Sequence, residues 1–296
     1  MKRIALLAVI WGWSFLFIKV AVAGMTPSAV AAARIALGGI VMVGILWARK
    51  TPLPRSRRVW RDFFVMGLVH SAIPFTLLAW GEQRITSALT AVLNASTPLF
   101  AALLTAVLLG ERLRRSQLVG LVLGFAGVAV AAGVGAGDLT GSSLAGGLAA
   151  VAAAACYGLG FAYARRHLAG IPPLVASGGQ LIAGTLIIGP VGIATTVQHG
   201  IVLAPRRVLA VLILGVVGTG FAYVLNYRSI ADVGPTRASV VTQLVPVVAV
   251  AVGIAFLHEP FHFRLVVGGA LTLFGIALLH ERIRMLAATG GPPAPR

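Results

Sequence analysis

Ten runs of about 20 apolar residues follow one another along this chain, each long enough to cross roughly 30 Å of hydrocarbon as a helix. They fall near 4–23, 28–47, 62–80, 87–109 and 117–134, and again near 143–164, 173–197, 207–227, 236–257 and 264–280. No soluble fold could hide that much apolar surface, since 58% of the residues are hydrophobic and only 10% are charged. The expected fold class is an all-α integral membrane protein with ten transmembrane helices, and the lipid bilayer is its first partner.

The ten runs form two sets of five. Residues 84–130 reappear at 232–278 under a constant offset of 148, with ten of 47 positions identical, among them Pro98 with Pro246 and Glu111 with Glu259. An offset of 146 relates the first two runs of each set, pairing Gly12 with Gly158, Phe15 with Phe161, Lys19 with Arg165, Pro27 with Pro173 and Arg34 with Gln180. Because five is odd, the second set enters the membrane from the opposite side. The duplication therefore predicts two inverted five-helix repeats, residues 1–137 and 138–285, with 286–296 as a flexible cytoplasmic tail. Gly133 to Ser143, Gly-rich with Asp138 as its one charge, is the expected external linker. Two such units enclose a site at their interface, and rocking one against the other opens that site to alternate sides. A transporter is the function this arrangement points to.

Charge asymmetry sets the direction. With the amino terminus inside, 17 of the 24 Lys and Arg residues fall in cytoplasmic segments and four, Arg84, Arg206, Arg207 and Arg264, in external ones. Lys19, Arg34 and Arg237 fall within helices. Both termini are expected to be cytoplasmic, in a multi-pass protein of the cell inner (plasma) membrane. A net charge of +17 would suggest nucleic acid in a soluble protein, but here the basic residues trace the cytoplasmic loops, so no nucleic-acid partner is expected. The opening Lys2-Arg3, apolar run and Ala21-Val22-Ala23 imitate a cleavable signal; the run's length, Lys19 and its match to the sixth helix read it as the first span. Cys156, the one cysteine, lies in an apolar run and reads as a small hydrophobe.

The chain resembles the drug/metabolite transporter superfamily in its EamA family, closest to bacterial amino-acid and metabolite exporters with two five-helix repeats. The resemblance spans residues 4–280 and rests on Trp11-Gly12-x-x-Phe15, Arg34, Pro98 and Leu109-Gly110-Glu111, with Gly120 and Gly127 following. The second copy departs from it with Gln180 for the Arg and Leu257-His258-Glu259 for Leu-Gly-Glu. It implies a central cavity with the fifth and tenth helices at the periphery, and substrates ranging from amino acids to sugar derivatives.

Candidate substrate-binding residues follow from polarity, rings and prolines at membrane depth. Pro98 and Pro246 each sit about 15 Å into a helix, near the midplane, where a proline removes a backbone hydrogen bond and frees a carbonyl. Asn94, Thr97 and Gln243 accompany them. Trp11, Trp13, His70, Tyr157, Phe161, Tyr223 and Asn226 complete the set. Lys19 and Arg165 are expected to snorkel, while the deeper Arg34 is suited to a substrate carboxylate or a backbone carbonyl. Glu111 and Glu259 are expected to stabilise the amino-terminal ends of the helices that follow them. Gly120-x-x-x-Gly124 with Gly127, and Gly268 with Gly275, give the fifth and tenth helices a close-packing face, within the repeat or between subunits, so a monomer or weak homodimer is expected.

One motif misleads. His258-Glu259-Pro260-Phe261-His262 matches the H-E-x-x-H zinc-protease pattern, which needs both histidines on one unbroken helical face. Pro260 disfavours that helix, and the segment is a predicted external turn. Ser177-Gly178-Gly179 lacks a histidine partner and reads as packing. No enzyme chemistry, catalytic residue, metal or cofactor is expected.

All seven acidic residues fall in loops or at helix ends, and none at membrane depth. Intramembrane carboxylates are the usual proton relays, so the expectation is an alternating-access exporter of small neutral or zwitterionic metabolites, amino acids foremost, running down the substrate gradient. The alternatives are a proton-coupled exporter of other metabolites or drugs, with His70 as the titrating group, a membrane enzyme, or a passive pore.

Overall fold

The computed structural model describes residues 2–133, 141–226, 228–229, 232 and 240–288, with side chains to residue 279. The core of the external linker at 134–140, with Asp138, lies outside the described residues, as do Arg237 and the tail from 289. The described residues are helical, with short turns and no strand. Ten spans result: α1 Lys2–Val22, α2 Pro27–Ala48, α3 Arg57–Glu82, α4 Ser87–Leu109, α5 Arg115–Ala132, α6 Gly141–His167, α7 Pro173–His199, α8 Pro205–Asn226, α9 Val240–Leu257 and α10 Phe263–Ala288. Helix α10 runs through Ala288, so the first residues of the expected tail are helical.

Local chemistry explains where the helices start and stop. Thr26 and Thr86 cap α2 and α4, their hydroxyls accepting from the Ala29 and Leu89 amides at 3.3 and 3.1 Å. Pro27, Pro173 and Pro205 open α2, α7 and α8, where a missing N–H costs nothing. Gly110 ends α4 at a φ of 70°, and His258 holds the equivalent place after α9 at 54°. Between those ends the helices are apolar on nearly every face, as spans packed on one side and facing lipid on the other must be.

Three helices depart from the α pattern, all at membrane depth. The α4 helix breaks into Ser87–Asn94 and Thr97–Leu109, because Pro98 offers no N–H to the Asn94 carbonyl. The freed carbonyl is satisfied locally: Thr97 Oγ1 donates to Asn94 O at 2.8 Å and Ser96 Oγ to Leu93 O at 2.6 Å. In α9, Pro246 sits inside a continuous helix. The α3 helix widens to π geometry at Leu68–Ala72, where Pro74 crowds the carbonyl four residues before it and Ile73 N–H donates to Leu68 O. In α8 the π segment is Ile213–Phe221, in the corresponding place of the second half.

Packing pairs α1 with α9 and α6 with α4; α2 with α8 and α7 with α3; α3 with α6 and α8 with α1; and α2 with α7. Each pairing maps onto another in the set when helix n is exchanged for helix n+5. The α5 and α10 helices pack on each other at the edge of the bundle. Their glycine faces are spent in that contact: a Cβ on Gly120 would lie 2.7 Å from Gly275 O, and one on Gly127 2.6 Å from Gly268 O. The close-packing face expected to serve the repeat or a second subunit thus joins the two halves of one chain.

This contact sets a stability test. Gly127→Leu drives a side chain into the α10 backbone and should cost about 1–3 kcal/mol. Gly44→Ala, where a Cβ meets nothing within 4 Å, should be neutral or stabilising. Unfolding midpoints in detergent check both; equal midpoints for the two variants would remove the α5–α10 contact as a stabilising element.

Candidate functional site

Eight of the ten helices, all except α5 and α10, surround a central cavity of about 260 Å³. That approaches the lower end of the roughly 300–1,000 Å³ typical of small-molecule sites. The cavity reaches the end of the bundle that carries the basic loops, where Pro173 opens α7, Asn226 closes α8 and Thr242 stands in the first turn of α9. It stops at Ile18, Leu78 and Ala91, each one helical turn short of the opposite end. The two ends are called the basic side and the opposite side below.

Ten of the twelve candidate residues line it: Trp11, His70, Asn94, Thr97, Pro98, Tyr157, Phe161, Tyr223, Asn226 and Pro246. Trp13 and Gln243 do not, for the same geometric reason. Trp11, Ser14, Phe15 and Ile18 recur at helical spacing and share the inward face of α1, so Trp13 points elsewhere and packs on Phe256 of α9 with ring centroids 4.8 Å apart. On α9 the inward face is Thr242, Val245 and Pro246, and Gln243 falls beside it. Ser177 also lines the cavity, a place it was not expected to have, while Gly178 and Gly179 beside it pack against Leu46 and Phe63.

Arg34, suited to a carboxylate or a backbone carbonyl, also lines the cavity, and so does Gln180, which was missed as a site residue although the 146-residue offset pairs it with Arg34. Each is buried and reaches across to a hydroxyl in a π segment of the other half: Arg34 Nε donates to Thr219 Oγ1 at 2.9 Å, and Gln180 Nε2 to Ser71 Oγ at 2.8 Å. The Arg34 guanidinium also lies 4.0 Å from the Phe75 ring centroid, a cation–π contact that leaves its remaining N–H groups for the cavity. Trp11 Nε1 donates to Gly218 O at 3.2 Å, fixing α1 to the α8 π segment. The His70 ring meets Tyr157 and Phe161 edge-on, at 5.1 and 5.0 Å. Buried at this wall, His70 Nδ1 and Asn94 Oδ1 have no hydrogen-bond partner among the described residues.

On the opposite side the charged residues depart from expectation. Lys19 does not snorkel: its ammonium donates to the carbonyls of Glu82 and, at 2.8 Å, Ile85, satisfying the end of α3. Glu259 stabilises a helix amino terminus, but that of α4 in the other half, accepting from the Ser87 and Ala88 amides at 2.7 and 3.0 Å and from Ser87 Oγ at 3.1 Å. Glu111, on the basic side, instead pairs with Arg165 at 2.7 Å. Glu82 does end a helix, as expected, yet it is 0% exposed. The His258–His262 segment lies between α9 and α10 and is non-helical, so the two histidines do not share a helical face.

A ten-span bundle with a small, partly polar cavity at the meeting of its two halves is an architecture of membrane transporters. The EamA-like transporter family matches this chain twice, over residues 3–133 and 144–280, and the chain belongs to that family. It is a transporter and not an enzyme. It is similar to an uncharacterized transporter of Archaeoglobus fulgidus, 27% identical over 93% of this chain and 96% of that one. It is also similar to a probable terminal-alkyne amino-acid exporter of Streptantibioticus cattleyicolor, 29% identical over 94% and 92%. A solved crystal structure shares the fold, with a TM-score of 0.66 at 20% identity, over 96% of this chain and 98% of that one.

The Glu259 contact is testable by itself. Glu259→Ala leaves two amides of α4 without their acceptor and should cost about 1–2 kcal/mol, whereas Glu259→Gln keeps one acceptor oxygen and should lose less. Chemical unfolding of the two variants in detergent measures this, and the same loss from both would show that the carboxylate is not acting as a cap.

Proposed function

We propose that this chain exports small neutral or zwitterionic metabolites, amino acids foremost, from the cytoplasm by alternating access. The observation that carries the reading is Arg34, a buried guanidinium on the cavity wall with N–H groups to spare. Such a group is suited to a carboxylate, held by charge-assisted hydrogen bonds. Asn94 Oδ1, a buried acceptor without a partner among the described residues, is suited to the ammonium group of the same molecule. The cavity volume fits an amino-acid-sized solute, and the name of the Streptantibioticus relative points the same way.

In this reading residues 1–137 and 138–285 are inverted repeats that rock about the central cavity, and 286–296 is a tail. The basic side is cytoplasmic, the membrane is the inner (plasma) membrane, and the cavity as seen faces the cytoplasm. One chain is the working unit, because the α5–α10 glycine face is occupied internally. Transport runs down the substrate gradient, with His70 serving as a polar ring of the wall.

Counterflow of radiolabelled amino acids in proteoliposomes tests the function. A carrier exchanges and saturates, a pore does not saturate, and an enzyme alters the label's chemistry. Arg34→Ala should lower exchange about ten- to a hundredfold, the worth of a charge-assisted hydrogen bond, with Arg34→Lys between it and the parent. An imposed pH gradient should drive no accumulation, in the parent or in His70→Gln. Unchanged exchange in a folded Arg34→Ala protein would discard the carboxylate role. Reporter fusions at residues 50 and 166 should both read cytoplasmic, and opposite readings would overturn the orientation.

A further inference from the structure

The carboxyl of Glu82 is a buried acidic group that the transport reading leaves without a task. It closes α3 on the opposite side, one helical turn past Leu78, where the cavity stops. It is 0% exposed, and neither of its oxygens has a hydrogen-bond partner among the described residues. Lys19 does not pair with it: its ammonium gives its hydrogen bonds to the carbonyls of Glu82 and Ile85. The charged groups facing it are Lys19 from α1, Arg34 from α2 and Glu259 after α9. The residue before it, Gly81, abuts Gly146, Ala149 and Ala150 of α6, none of them charged. Arg84, next in the turn, is folded back 3.4 Å from the Trp80 ring centroid and onto the Trp80 carbonyl.

An ionised carboxylate without hydrogen bonds is too costly to bury, and such a group takes up a proton instead. Its route to water is set by the fold. The cavity reaches the basic side and does not include Glu82, so water meets this carboxyl only when the opposite ends of α1, α3, α4 and α9 part.

We propose that Glu82 is a proton-binding site loaded and unloaded from the external compartment alone, and that its protonation is required to close the external gate. The inference rests on the alternating-access reading above. When the gate is open, the carboxylate stands in external water; it takes one proton from there, the gate closes over the neutral acid, and reopening returns that proton to the same side. No proton crosses the membrane, so the site gates transport without energising it. One proton per closure shifts the closed-to-open ratio up to tenfold per unit of external pH, towards open as pH rises.

The test has two readouts. In cells expressing Ile85→Cys in a Cys156→Ala background, labelling by a membrane-impermeant maleimide reports gate opening. Because the thiolate is the reactive form, labelling is divided by that of a fully exposed cysteine at the same pH; this ratio should rise several-fold as external pH goes from 6 to 8, and adding Glu82→Gln, which is neutral at every pH, should flatten it. Amino-acid counterflow in proteoliposomes should follow external pH in the parent and in Glu82→Asp, be flat in Glu82→Gln, and ignore internal pH. Flat labelling in the parent, or an unchanged response in Glu82→Gln, overturns the site. Substrate-driven proton movement read by an internal dye overturns one-sided access. Absence of amino-acid exchange with pH-dependent labelling retained would sink the substrate reading and leave the gate standing.

Discussion

Inside hydrocarbon every backbone amide and carbonyl must find its partner within the protein, and this constraint organises the molecule. It makes the ten spans helical and leaves the departures from helix as the informative places. The departures in α4 and α3 are compensated nearby. Pro98 frees the Asn94 carbonyl and Thr97 takes it; Pro74 displaces a turn of α3 and the π segment rebonds Ile73 to Leu68. The loosened segments then become attachment points, since Ser71 and Thr219, both in π turns, receive Gln180 and Arg34 from the other half. Irregular backbone collects around the cavity because there protein side chains, rather than lipid, can satisfy it.

Two copies of one plan thus give a scaffold that is nearly symmetric in packing and asymmetric in chemistry. Arg34 and Gln180 make equivalent reaches, but one carries a charge to the cavity wall and the other does not. Gly110 and His258 hold the same left-handed turn, where glycine pays no steric cost and histidine does. Glu111 and Glu259 follow those turns, yet Glu111 meets a partly exposed arginine and Glu259 the buried start of α4. The exposed pair is of the kind that contributes little, whereas the cap satisfies two amides that have no other acceptor. The asymmetry therefore gives the two ends of the bundle contacts of different strength.

The opposite side is held by bonds aimed mostly at backbone: Lys19 to two carbonyls, Glu259 to two amides, and the Val202 amide to Gly24 O at 3.0 Å. The basic side is held by side-chain pairs such as Arg3 with Asp232 and Tyr163 with Asp62. Fixed backbone partners lose less conformational entropy than pairs of long side chains. Closure of one end and access at the other follow from the same set of contacts.

Much was legible in the sequence because hydrocarbon is an undiscriminating solvent: run length gave the ten spans, an odd count with duplication gave two like halves, and polarity at depth gave ten wall residues. Turn chemistry at Gly110 and Pro260 was legible for the same local reason. Which way a side chain points was not. Trp13 and Gln243 have the composition of site residues, and only the helical phase fixed by packing turned them away from the cavity. Nor could the sequence tell that Lys19 would be drawn to carbonyls of α3, that Glu259 would cap α4, or that Glu82, a helix-end acid, would be sealed from water. Those outcomes depend on residues 66 to 172 positions apart meeting across the bundle. Composition and period settle what a segment is; partners distant in sequence settle what its polar groups do.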